Sequence, residues 1–294
     1  MSASVINAAI VSGLLNGGLY SLLALALVLV FRTTGVANFA QGDMAMFSAF
    51  LLIMLFLPLG MPLILAWVAT ILTAAILGAL IYLVLIRPRP TKDHLNLTVR
   101  TMGLYILLYS SAVVLWGGME PYQVPSLFPP GAFRLGNFSV GYDQLGTILI
   151  AVGIAVAFLS FFRLTQTGLA MRAVSSDPEV ASLMGVNVKR ISLVVWMMAG
   201  MLAAVTGMLI APITFLESAL MRPYLLKAFT AAILGGLTSF PGAIVGGFIL
   251  GLAEAFAGVT ISLHMREPFT FAILLLVLLI RPAGISGTVN RARV

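Results

Sequence analysis

Apolar residues run along this chain in long unbroken blocks, with few polar positions between them. A helix packed on a water-soluble core shows an apolar stripe repeating every 3.6 residues. Here whole turns are apolar on every side, over lengths near the ~20 residues that cross a hydrocarbon layer. Nine runs are predicted as helices: Val5–Phe31, Gly42–Leu57, Leu63–Ile86, Thr101–Trp116, Gln144–Phe162, Leu193–Ile213, Tyr224–Thr238, Gly242–Leu263 and Phe269–Ile280. Three of them, Gly42–Leu57, Tyr224–Thr238 and Phe269–Ile280, are short for a crossing. They are expected to be tilted, extended by their flanks, or re-entrant within protein surroundings. The pattern predicts an all-α, polytopic transmembrane helical bundle of about eight or nine spans, forming a single membrane domain over residues 1–294.

Composition supports the same class. Hydrophobic residues make up 61% of the chain and charged residues 9%, and the mean hydropathy is +1.12. Soluble domains carry about 25% charged residues, so this chain could not cover itself in water. The net charge of +7 raises the question of nucleic acid. Its basic residues sit at the ends of apolar runs, not in a stripe with interleaved aromatics, so the partner is a lipid bilayer and no nucleic acid is expected. The absence of cysteine excludes thiolate catalysis, disulfides and cysteine–metal sites. The two histidines, His94 and His264, are too far apart in sequence to suggest a histidine metal site.

The basic residues also set an orientation. With an odd number of spans and the N-terminus outside, the inside segments carry Arg32, Arg87, Arg89, Lys92, Arg100, Arg163, Arg172, Lys189, Arg190, Arg281, Arg291 and Arg293. The outside segments carry only Arg134, Arg222, Lys227 and Arg266. That bias satisfies the positive-inside rule. The first run lacks a positive n-region and a small-residue cleavage site, so it is expected to be an uncleaved span.

Small residues mark where helices should approach one another. Gly242/Gly246 and Gly247/Gly251 are two small-xxx-small pairs, of the kind that lets helix backbones come close. Thr238–Ser239–Phe240–Pro241–Gly242 breaks two apolar runs with turn-forming residues. Glu254 lies in the middle of a run, where a lipid-facing carboxylate would be costly, so it is expected to face protein or water. No ion-relay partner for it is evident in the sequence.

Two polar segments remain. Gly117–Asp143 is predicted outside and is rich in proline. Arg163–Ser192 is predicted inside, and Ser176-Asp177-Pro178-Glu179 reads as a helix start, with either Ser176 or Asp177 as the cap. Gly185 ends this short helix and Asn187 starts the next. Val180, Leu183 and Met184 give the short helix one apolar face, and two turns are not stable alone in water. It must therefore pack on the membrane domain, on a partner, or on both.

Asn16-Gly17-Gly18-Leu19-Tyr20-Ser21-Leu22, followed by Phe31 to Asp43, resembles the N-terminal signature of branched-chain amino-acid ABC importer permeases. Gly168-Leu169-Ala170-Met171-Arg172-Ala173, continuing to Asp177, Ala181, Gly185, Val186 and Asn187, is similar to that family's cytoplasmic loop. Arg281-Pro282-Ala283-Gly284-Ile285-Ser286-Gly287 resembles its usual C-terminal end. The match covers nearly the whole chain and is closer to the first, shorter permease type. One departure is visible: the family commonly has His-Gly-Glu where this chain has Gln41-Gly42-Asp43, which removes a titratable imidazole.

The resemblance implies an ATP-driven importer of leucine, isoleucine, valine or another hydrophobic amino acid; related permeases serve urea and short amides. It implies a second homologous permease subunit, two cytoplasmic ATPase subunits that bind ATP and Mg, and a periplasmic substrate-binding protein. No G-x-x-x-x-G-K-[ST] loop is present, so hydrolysis belongs to a partner and this chain needs no cofactor or catalytic residue of its own. Gly168, Arg172, Ala173, Asp177, Glu179, Ala181, Leu183 and Gly185 are expected to form the ATPase-coupling loop, at about 163–192. Asn16, Gly17, Gly18, Asn38, Gln41, Gly42, Asp43, Gly242, Gly246 and Glu254 are candidates for lining the translocation path or packing helices. Asn38, Gln41 and Asp43 read either as a solvated inside loop or as the mouth of the pathway. An ion-coupled secondary transporter is the competing transport reading. A membrane enzyme would want clustered carboxylates or a nucleophile beside a base, and only Asp177 and Glu179 lie together.

The orientation is testable because the chain has no cysteine to remove. A single cysteine at Pro130 should react with an impermeant thiol reagent in intact cells, and one at Thr167 should not; the reverse result would invert the map.

Overall fold

The computed structural model describes residues 3–35, 37–87, 94–117, 121–135, 138–281 and 283–287. Arg89, Lys92, Pro282, Arg291 and Arg293 of the sequence analysis lie outside them. All nine predicted runs are helical. In chain order they are α1 (Ala3–Thr34), α2 (Gln41–Phe56), α3 (Leu63–Ile81), α4 (His94–Trp116), α5 (Tyr142–Leu164), α8 (Val188–Ile210), α9 (Arg222–Gly235), α10 (Phe240–Thr260) and α11 (Arg266–Ile280), with α6 (Gln166–Ser176) and α7 (Pro178–Leu183) between α5 and α8. The last turn of α3 widens into a π turn, Tyr82–Ile86, and Arg100 donates to the Leu85 carbonyl there at 2.7 Å.

Among the described residues, six helices are long and apolar enough to cross a membrane by themselves, which supports six of the eight or nine expected spans. The other three have 16, 14 and 15 residues. At 1.5 Å per residue they reach roughly 21–24 Å, short of the ~30 Å hydrocarbon thickness. The chain is not purely α-helical. Within the Gly117–Asp143 segment, β1 (Ala132–Leu135) pairs antiparallel with β2 (Phe138–Gly141), Ala132 opposite Gly141.

The chain falls into two compact units. One comprises Met1–Val28, Phe128–Ala155 and Leu226–Val294. In it α1 and α10 run antiparallel in close contact: a Cβ on Gly13 would lie 2.9 Å from Leu252 Cα, and one on Gly17 2.8 Å from Phe248 Cα. The two glycine pairs of α10 serve two different neighbours. Gly247 and Gly251 face Ser21 and Gly17 of α1, whereas Gly242 and Gly246 face Gly235 and Ala231 of α9. The sequence break between α9 and α10 is a tight turn. Ser239 caps α10 by accepting from the Gly242 N–H at 3.1 Å, with Pro241 in the first turn. The Ile285 and Ser286 N–H groups donate to the Leu234 and Gly235 carbonyls at 2.8 and 3.1 Å. The Ala283–Gly287 segment thereby takes up carbonyls that the end of α9 would otherwise leave open.

The other unit comprises Leu29–Leu127 and Val156–Leu225. Here α2 packs against α3, α4 and α8. Gly78 and Gly200 set the α3–α8 contact: a Cβ on either would strike a backbone carbonyl of the facing helix, that of Trp196 or Ala74. Gly207 meets the Ala45 carbonyl of α2 in the same way. Phe50 of α2 stacks on Trp116, the last residue of α4, 4.9 Å between ring centroids. Tyr122 closes this layer, edge-on to Phe50 at 6.1 Å and bridged through its backbone to Leu216.

Overpacking a close helix contact costs about 1–3 kcal/mol or more. Gly200→Leu and Gly247→Leu should each lower the midpoint of thermal unfolding in detergent by several degrees. Gly103→Ala should not, since a Cβ there meets nothing within 4 Å.

Candidate functional site

Glu254 is the deepest charge in α10, only 3% exposed. It accepts from the Tyr20 hydroxyl of α1 at 2.8 Å and from Lys227 Nζ of α9 at 2.6 Å. Lys227 Nζ also lies 5.6 Å over the Tyr20 ring. Three helices are tied by one carboxylate whose two oxygens each have a partner. A buried carboxylate is tolerated only with such compensation. Sequence reasoning found the acid and missed the base. It counted Lys227 with the outside residues, although Lys227 falls inside the apolar run Tyr224–Thr238. A lysine and a glutamate each interrupting an apolar run were the available signal. Arg222 opens the same helix.

Asn16 is half-buried in α1, and its neighbours Gly17 and Gly18 are contact points for Phe248 and Ala151. The Asn38–Asp43 cluster belongs to the other unit, and the reading of it as a solvated loop is corrected. Asn38 and Gln41 are fully buried and Asp43 is 6% exposed. Asn38 Nδ2 donates to Gln41 Oε1 at 3.0 Å, and its Oδ1 accepts from the Ala40 N–H at 3.1 Å. Gln41 Nε2 then donates to the Ala199 carbonyl of α8 at 2.9 Å. A buried amide must find such partners or cost free energy, and here the partners join the start of α2 to the middle of α8. Gly42 faces the start of α9, where its Cβ would lie 3.3 Å from both Met221 and Leu225 Cβ.

The Arg163–Ser192 segment folds as a pair of short helices. Thr165 caps α6 by accepting from Gly168 N–H at 3.0 Å, and Gly168 lies so close to the Phe162 carbonyl that no side chain fits. Arg172 and Arg32 approach the Phe162 ring at 6.0 and 5.7 Å. Of the two possible caps for α7, Asp177 is the one used. Its Oδ1 accepts from the Glu179 and Val180 N–H groups at 2.9 and 3.0 Å, with Pro178 first in the helix. Ser176 instead ends α6. Gly185 adopts φ +85° just past α7, a left-handed conformation that side chains resist. Asn187 caps α8 by accepting from the Arg190 N–H at 3.1 Å. Ala173 is half-buried, while Ala181 turns inward and Val180, Leu183 and Met184 are 53%, 86% and 80% exposed. Among the described residues no group of three or more His, Asp or Glu could hold a metal ion.

The geometry defines a membrane-embedded helical protein with buried polar ties and one exposed apolar helix between spans. Residues 9–278 match the family described as the branched-chain amino acid transport system permease component. The high-affinity branched-chain amino acid transport system permease protein LivH of Escherichia coli K12 is 33% identical, covering 94% of each chain. BraD of Pseudomonas aeruginosa, a permease protein with the same description, is 32% identical over 95% of this chain and 94% of its own length. The probable branched-chain amino acid transport permease protein LivH of Methanocaldococcus jannaschii is 29% identical, covering 93% and 90%. Among solved structures, PsaBC from Streptococcus pneumoniae in complex with Fab shares the fold, with a TM-score of 0.51 at 15% identity over 92% of this chain and 91% of that one. This chain belongs to the branched-chain amino acid transport system permease component family.

Removing one partner of a buried ion pair strands the other charge, typically at a cost of about 3–5 kcal/mol, whereas replacing both is close to neutral. Lys227→Met should therefore destabilise the purified protein strongly, and adding Glu254→Leu to it should recover most of the lost thermal midpoint. A double variant no more stable than Lys227→Met alone would remove the ion pair as the reason for the loss.

Proposed function

We propose that the chain is a transmembrane permease subunit of an ATP-binding cassette importer that carries branched-chain or other hydrophobic amino acids across the inner membrane. The family match over residues 9–278, with relatives of that description aligned along nearly their full length, carries this reading. An ion-coupled secondary transporter and a urea or short-amide permease are the readings it displaces. The shorter α2, α9 and α11 complete their crossings with flanking segments, which gives nine crossings and keeps the two ends of the chain on opposite sides. The N-terminus lies outside and the Arg281 end in the cytoplasm, as the basic residues suggest.

In this reading the chain pairs with a second, homologous permease. Two cytoplasmic ATPases bind ATP and Mg, and a periplasmic binding protein delivers cargo and sets most of its identity. Transport proceeds by alternating access. ATP draws the ATPases together, the cytoplasmic segments of the permeases move with them, and the bundle opens to the opposite side.

The coupling element is α6–α7. Its support is the exposure of Val180, Leu183 and Met184 on a six-residue helix, too short to persist unless something packs on it. Spaced apolar anchors of this kind fit a groove on a partner. The Asp177 cap and the left-handed Gly185 fix the direction in which the helix is presented, while the exposed Lys189 and Arg190 set register more than affinity. Gly168 and Arg172 hold α6 against the end of α5.

The reading is tested in proteoliposomes holding the complete complex. Leucine uptake should require ATP and the binding protein. Leu183→Asp and Gly185→Val should leave the permease folded, weaken ATPase association at least tenfold in pull-down, and abolish uptake; normal uptake by both variants would sink the coupling role.

A further inference from the structure

Arg222 carries a charge at the start of α9. Its guanidinium lies 4.7 Å over the Tyr109 ring of α4, and the residue is exposed. Among the described residues no hydrogen bond or ion pair takes that guanidinium.

Distances along α4 and α2 give its depth. Tyr109 precedes Trp116, the end of α4, by seven residues, or about 10 Å along a helix. Trp116 stacks on Phe50, which also touches the Tyr122–Leu216 bridge, so these residues form one layer at the end of α4. Along α2, the step from that layer at Phe50 back to Asp43 is again seven residues, about 10 Å. Gly42, the neighbour of Asp43, faces Met221 and Leu225, which flank Arg222. In the other direction, Gln41 bonds Ala199, the middle residue of α8. Both routes place the start of α9 well inside the span. Because the guanidinium is held over Tyr109, the charge itself sits at that depth and has not snorkelled to the interface. An arginine so placed faces a bundle interior or a water-filled space, not lipid.

Asp43 is buried, and the Arg222 charge acts on it electrostatically, yet the two form no ion pair. Only the guanidinium is open to an incoming group, and its charge favours one that carries a carboxylate. Guanidinium binds a carboxylate through two parallel hydrogen bonds, which fixes orientation as well as charge.

We propose that Arg222 binds the α-carboxylate of an amino acid during its passage, with Tyr109 holding the guanidinium in position. This rests on the amino-acid permease reading above. That reading does not by itself single out Arg222, which no motif contains.

The test uses the complete complex in proteoliposomes, with leucine as probe and leucinamide, which lacks the carboxylate, as control. Parent complex should carry leucine and strongly prefer it to leucinamide. Arg222→Gln should keep assembly and binding-protein-stimulated ATPase within about twofold and lose at least tenfold in leucine uptake. If the Gln variant does not assemble, Arg222→Lys decides: a raised KM for leucine at unchanged maximal rate supports the site, and an unchanged KM overturns it. Loss of assembly in both variants overturns it in favour of a subunit contact. If the parent carries no amino acid, the permease reading falls and this site with it. If the parent carries leucine and Arg222→Gln does so equally well, only the arginine site falls.

Discussion

Everything in this fold depends on helix backbones being allowed to touch. Within a bilayer, lipid tails are as apolar as leucine, so side-chain burial gives little drive for one helix to leave lipid for another. Dispersion between closely spaced surfaces has to supply the difference. Gly78 and Gly200 bring α3 onto α8 in one unit, and Gly17, Gly247 and Gly251 bring α1 onto α10 in the other. Each is a place where a single Cβ would meet backbone, which cannot move aside as a side chain can. The long helices then need little amphipathic character of their own, which is why their sequences read as apolar on every side.

Charges inside such a structure are held in two ways. Glu254 is neutralised outright, by Lys227 on one oxygen and the Tyr20 hydroxyl on the other, and the three residues lock α1, α9 and α10. Asp43 and Arg222 are near enough to interact but not paired, and the arginine remains open. The first arrangement spends its charge on cohesion. The second keeps a charge available, which a transport protein can use and a purely structural bundle would have no reason to retain.

The polar segments outside the long helices are organised by caps. Thr165, Asp177, Asn187 and Ser239 each accept from a backbone N–H at the start of α6, α7, α8 and α10. In α7 the cap does more than save one hydrogen bond. With the left-handed Gly185 at the other end it holds a six-residue helix in a defined direction, with Leu183 and Met184 in the open.

The sequence by itself determined the class of protein, the nine helical runs, the start and stop of α7 though not which of Ser176 and Asp177 caps it, and the family. Those properties are local or repetitive: apolar run length, a cap one to three residues from the groups it serves, and ordered motifs. It also flagged Glu254, because a carboxylate within an apolar run is anomalous in any fold. Only the tertiary structure decided what answers that anomaly, since Lys227 and Tyr20 are 27 and 234 positions away. It likewise showed that Asn38 and Gln41, which in sequence read as a solvated loop or a pathway mouth, form a buried tie to Ala199, and it distributed the α10 glycines between two neighbours. The stretch between Asn38 and Asp43 reads as polar loop because a linear pattern carries no depth. That its residues lie beside the middle of α8, with Arg222 at the same level, depends on how far each helix slides past the next, and that sliding is set by contacts between residues far apart in the chain.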